Sequence, residues 1–241
     1  MLCAVLAGLL AGTVTGLLHV LLGIPPILAG ILTQMVLWSV NLKILGKANQ
    51  ALPARSIDVL LTQMNIPAAL PVLLGWAAVL VTLLVLFFST ELGCALRATG
   101  CNPVMSRAQG VNTGLMKVIG LALSNAVVAM SGGLLCQYQG YTDVNMGRGA
   151  VVIGLAAVVI GQAVLGRHGG HMAAQLGGVV LGAVIYYIVY QVIIFAGFDT
   201  DLLKMFSAVV VAVFLGVPHV RDQIRTNSRI KKGGSRHAEN V

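Results

Sequence analysis

Few residues in this chain have types and spacings that could do chemistry. His168 and His171, in the run RHGGH, resemble a metal-ligand pair, but no further ligands accompany them and a solvated turn is the plainer reading. The four cysteines, Cys3, Cys94, Cys101 and Cys136, lack metal-ligand spacing and read as small apolar residues. No HExxH, GxSxG or P-loop lysine motif occurs, so neither zinc hydrolysis, serine hydrolysis nor nucleotide hydrolysis is expected of the chain itself. None of the seven acidic residues falls inside an apolar stretch, and His19 is the clearest ionisable candidate within one. Proton- or ion-coupled carriers keep buried acids or histidines as relays, so energy is expected to come from elsewhere.

The informative polar segment is Ser89–Lys117, STELGCALRATGCNPVMSRAQGVNTGLMK. Thr90 can cap a short helix with Glu91 in its first turn, where the helix dipole favours an acid. Gly100 is expected to provide a left-handed stop. Asn102 followed by Pro103 reads as a second cap and first helical position, and Gly110 as the end of that helix. The two short helices either connect their neighbours or dock into a partner's groove. Ala95, Leu96 and Ala98 flanked by Arg97 and Arg107 suit the latter.

The elements around this segment are apolar. Hydrophobic residues make up 58% of the 241 and charged residues 9%, with mean hydropathy +0.93. A soluble domain carries roughly 25% charged residues. Apolar runs at Leu2–Leu22, Ile27–Leu45, Pro67–Phe88, Met116–Cys136, Val151–Leu165, Met172–Phe195 and Leu202–Val217 give six or seven spans, each needing about 20 residues. Val151–Leu165 is short and needs help from its neighbours. The expected fold is therefore an all-α, polytopic helical membrane bundle.

Charge placement sets the orientation. Net charge is +8, and Arg221, Arg225, Arg229, Lys231, Lys232 and Arg236 fall in the last 21 positions. A basic tail after the final apolar run marks a cytoplasmic end. Without aromatic interleaving it does not suggest nucleic acid. Alternating spans then put Ser89–Gly114, with Arg97 and Arg107, in the cytoplasm, and Gly46–Ile66 and Gln137–Gly149 outside. Residues 1–220 are expected to form the transmembrane domain, with 89–114 as its cytoplasmic coupling segment, and 221–241 a basic cytoplasmic tail without fixed structure. Met1 falls on the outer side with no positive n-region before it, so no signal peptide is expected. Glycines at four-residue spacing, Gly8, Gly12 and Gly16, then Gly178 and Gly182, predict close helix contacts within the bundle. Thr33, Gln34, Asn41, Ser124, Asn125 and Gln162 are candidates to line a pathway, although such residues more often join helices by hydrogen bonds.

The run from Thr90 to Gly166 resembles the permeases of ABC importers for branched-chain amino acids, ribose and related solutes. That family carries T-x-x-G-x-x-x-R-A-x-G and a later G-[IV]-[ND], matched here by Thr90, Gly93, Arg97, Ala98, Gly100, Gly110, Val111 and Asn112. Ser124, Ala126, Ala129, Gly132 and Gly133 match the small residues of its next helix, and the similarity runs from about residue 10 to 217. Within the family, Gly23–Asn49 most resembles permeases of tryptophan/tyrosine transport systems.

The resemblance implies a permease fold and a coupling helix seated in a cleft of a cytoplasmic ABC ATPase. Glu91, Gly93, Arg97, Ala98, Gly100, Arg107, Gly110 and Asn112 would form that coupling site. It also implies an extracytoplasmic substrate-binding protein, a homodimer, and a bacterial inner-membrane location. No cofactor is expected on the chain; ATP and magnesium belong to the partner ATPase. The solute would be an amino acid, or alternatively a sugar or nucleoside, and the competing class is an ion-coupled secondary transporter. Family members carry one or two further helices before the position matching Met1, so a fragment or misassigned start is expected.

Overall fold

The computed structural model describes residues 1–51, 66–147, 150–165 and 172–195, which fall into two compact units, residues 1–147 and the remainder. In the first unit the helices are α1 (Leu2–Leu21), α2 (Pro26–Leu45), α3 (Ile66–Phe88), α4 (Glu91–Cys101), α5 (Pro103–Ala108) and α6 (Thr113–Gln139). Two short strands, β1 (Asn49–Ala51) and β2 (Tyr141–Asp143), pair antiparallel with Gln50 opposite Thr142. The second unit contains α7 (Ala150–Leu165) and α8 (Met172–Phe195). The predicted seventh run, 202–217, the RHGGH histidines and the basic tail lie outside the described residues.

Five described helices are long and apolar enough to cross a membrane: α1, α2, α3, α6 and α8. α7, with 16 residues, is the short one, as its apolar run suggested. Leucine, valine and isoleucine side chains stand exposed along all of these helices, for example Leu2, Leu10 and Leu21 on α1. Such surfaces suit a lipid solvent, in which the backbone polar groups must be satisfied inside each helix.

Lipid gives no hydrophobic reward for helix contact, so close approach must supply it. The glycine ridge of α1 does this against α6. A Cβ on Gly8 would meet Asn125 O at 2.5 Å, one on Gly12 would meet Ala122 Cα at 2.6 Å, and one on Gly16 would meet Val118 Cα at 2.8 Å. As the ridge ascends from 8 to 16, its partners descend from 125 to 118, so the two helices run antiparallel. The contact between α1 and α2 is polar: Thr15 Oγ1 donates to Thr33 Oγ1 at 2.9 Å, and Thr33 donates to Ala29 O.

The second unit repeats the device. A Cβ on Gly161 would strike the carbonyl of Gly178, and one on Gly182 would strike that of Ala157. Ala156, Ile160 and Tyr186 form the buried centre of that helix pair.

In the first unit α6, about 40 Å long at 1.5 Å per residue, separates two ends. The β1–β2 pair gathers the chain after α2 and after α6 at one end. α4 and α5 sit at the other, between α3 and the start of α6. Among the described residues, the strands of the two predicted outer loops, Asn49–Ala51 and Tyr141–Asp143, thus lie at the end of α6 away from α4 and α5, as alternating spans would put them.

Candidate functional site

The chain turns sharply from α3 into α4. Thr90 Oγ1 donates to Phe87 O at 2.6 Å and accepts from Gly93 N at 3.3 Å, forming the predicted cap. Gly93 is buried at this turn: a Cβ there would strike Phe87 O and lie 2.5 Å from Phe88 Cα. Its role is therefore to let the start of α4 close onto the end of α3.

α4 presents two faces. Gly93 and Thr99 are buried and Leu96 is half-buried, with Leu96 Cδ1 3.2 Å from where a Cβ on Gly120 of α6 would stand. Glu91, Leu92, Cys94, Arg97 and Ala98 are exposed. The guanidinium of Arg97 is thus available to a partner and is not engaged in holding the segment together.

Gly100 departs from expectation. Its φ is not positive, α4 continues through it to Cys101, and open space surrounds it. The stop comes at Asn102, at φ −149° and ψ 97°. Pro103 drives its predecessor out of the helical region, so the turn needs no left-handed glycine. Asn102 then caps α5, its Oδ1 accepting from Val104 N at 3.1 Å and Met105 N at 3.0 Å. Gly110, at φ +82°, does end the second short helix as predicted.

The far side of the segment is anchored to α6. Ser106 is buried and its hydroxyl donates to Asn102 O at 3.0 Å. Arg107 Nε donates to Thr113 Oγ1 at 2.8 Å, while Asn112 Oδ1 caps α6 through Leu115 N at 3.1 Å. Gly93, Gly110 and Asn112 thus shape the platform, and Glu91, Arg97 and Ala98 stand on its exposed surface. Sequence reasoning missed three side chains of that surface, Leu92, Val104 and Met105, which are 54%, 77% and 59% exposed. Helical periodicity could not find Val104 and Met105, because α5 has only six residues. Replacing Asn102 by alanine removes two accepted hydrogen bonds and should destabilise α5 by about 1–2 kcal/mol. Hydrogen exchange should then quicken across 103–108 and leave α6 unchanged.

The suggested pathway residues are dispersed. Thr33 is buried and joins α2 to α1 through Thr15. Asn125 Nδ2 donates to Leu121 O of its own helix, and its Cβ lies beside Gly12. Gln34, Asn41 and Ser124 are exposed. His19 lies in the last turn of α1, its Nδ1 2.7 Å from Ile24 O, as a helix-end histidine would.

A membrane helical bundle with a rigid, capped double helix at one end is what the family comparison then meets. Residues 1–218 match the family described as branched-chain amino acid transport system, permease component. The chain belongs to that family. It is an ABC-type permease, a multi-pass membrane protein and a transport subunit by family. A tyrosine transport system permease protein of Clostridioides difficile is 35% identical over 231 residues, covering 95% of this chain and 76% of the relative. An uncharacterized protein of Rickettsia prowazekii is 27% identical over 88% of this permease and 76% of its own length. An autoinducer 2 import system permease protein of Escherichia coli is 31% identical over 71% of this permease and 50% of its own length. No solved structure matches the chain.

Proposed function

We propose that this permease is the membrane-spanning subunit of an ATP-driven importer, and that α4 and α5 are its docking surface for a cytoplasmic ATPase. The observation that carries the reading is the exposed face of those helices. Arg97 and Arg107 stand with Leu92, Val104 and Met105 on a scaffold held by Thr90, Asn102 and the Arg107–Thr113 hydrogen bond. Short apolar helical faces fill grooves, and guanidinium groups pair with carboxylates at the rim.

Closure of two ATPase subunits on ATP and magnesium would pull this platform. The pull would pass through α6 to α1, because their backbones touch at Gly8 and Gly12. The protein would work as a homodimer in the bacterial inner membrane, fed by an extracytoplasmic binding protein, with its C-terminus cytoplasmic. Similarity to the tyrosine transport system permease makes an aromatic amino acid the first solute to test. Similarity to the autoinducer 2 permease supports a sugar-like solute as the second reading.

The test is co-purification of the detergent-solubilised full chain with the ABC ATPase subunits of its own organism. Wild type should hold the ATPase, and Arg97→Glu should weaken the complex about tenfold or more, since reversing a paired charge costs about 2 kcal/mol or more. No complex with either protein, both well folded, would instead support an ion-coupled carrier.

A further inference from the structure

An open cavity of about 510 Å³ lies under α4, walled by Pro26, Leu96, Pro103 and Met116 among other apolar groups, and by His19 and Lys117. We propose that it is a headgroup site for an anionic phospholipid of the surrounding bilayer. Among the described residues, the cation there lacks a counter-charge. Lys117 Nζ lies 3.4 Å from His19 Nε2, and no carboxylate pairs with it among the described residues. Ile24 O can only accept, so His19 Nδ1 carries the proton at that 2.7 Å contact and Nε2 is left to receive the ammonium. The histidine therefore holds the lysine in place without neutralising it.

The position suits a lipid. The cavity adjoins the last turn of α1, the first turn of α2 and the fifth residue of α6, the ends of three helices long and apolar enough to cross a membrane. Leu21 and Ile27, close in sequence to the lining residues His19 and Pro26, are exposed and offer apolar surface for an acyl chain. Basic pockets at such helix ends bind acidic headgroups. A free anion would gain little from walls that are mostly apolar, whereas an amphiphile gains from both the walls and the charge. The site does not depend on the importer reading.

The experiment is native mass spectrometry of the full chain in mild detergent, titrated with phosphatidylglycerol or phosphatidylcholine. Wild type should prefer phosphatidylglycerol about fivefold, the worth of one cation near an acidic headgroup. Lys117→Gln should abolish the preference and Lys117→Arg should keep it. Lys43→Gln, at the opposite end of α2, should leave it intact. Leu96→Trp fills the cavity and keeps both basic groups, so it should weaken phosphatidylglycerol binding and guards against misfolding of the lysine variant. Persistence of the preference in Lys117→Gln, or its equal loss in Lys43→Gln, overturns the site. Displacement of the lipid by inorganic phosphate at equal concentration would mark a small-anion site and overturn the lipid assignment.

Discussion

Gly12→Leu should unseat α1 from α6 and lower the thermal midpoint of the detergent-solubilised protein by about 6 to 12 °C. A Cβ at this position would stand 2.5 Å from Leu121 O and 2.6 Å from Ala122 Cα. Both are backbone atoms and cannot rotate aside as a side chain would. Relief must come from separating the helices, which forfeits the neighbouring contacts of Gly8 and Gly16 as well. Overpacking of this kind costs about 3 kcal/mol, and each kcal/mol is worth about 2–4 °C in a chain of this length. Gly30 on α2 is the matched control, because open space surrounds it. Gly30→Ala should leave the midpoint level or raise it, through a helix-propensity gain of about 1 kcal/mol or less. An unchanged midpoint in Gly12→Leu would show that the two backbones do not meet.

Gly93→Val should separate docking from folding. The added side chain would collide with Phe87 O and Phe88 Cα, again backbone, at the turn that seats α4 on α3. The collision displaces α4 and with it Arg97 and Leu92, while the α1–α6 contact lies elsewhere. The melting midpoint should fall far less than in Gly12→Leu, and recovery of the ATPase should fall more than tenfold, about 1.4 kcal/mol. Gly100→Ala distinguishes shape from contact. Nothing stands within 4 Å of that position, and α4 passes through it. Lost ATPase retention in Gly100→Ala would mean that the partner itself lies against Gly100. Full retention in Gly93→Val would remove the platform's geometry from the argument for docking.

The comparison of these two glycines shows how far sequence carried. Both match the family's motif, but the sequence alone assigns a turn only to Gly100. Gly93 turns the chain through a close approach that leaves no mark in local sequence. Gly100 does not, because Asn102 and Pro103 already stop the helix two residues later. Thr90, Asn102 and Gly110 were legible for the opposite reason: capping and left-handed turns are satisfied by atoms within three or four residues.

Length and apolarity likewise announced the spanning helices, including the shortness of α7, since crossing lipid is a demand each helix meets alone. The four-residue glycine spacing announced that α1 makes a close contact. That α6 is the helix it meets, at Asn125, Ala122 and Val118, came only from the fold. So did the pairing of His19 with Lys117, 98 positions apart, and the engagement of Thr33 by Thr15. By itself, then, the sequence determined a membrane permease of several helices with two capped helices on one face. Tertiary structure alone decided which helices touch, which polar residues join them, and which side chains of the platform remain outside. The physical reason is that caps, turns and membrane length are local or one-body requirements. Helix pairing in lipid depends on shape matching between surfaces far apart in the chain, which no local pattern specifies.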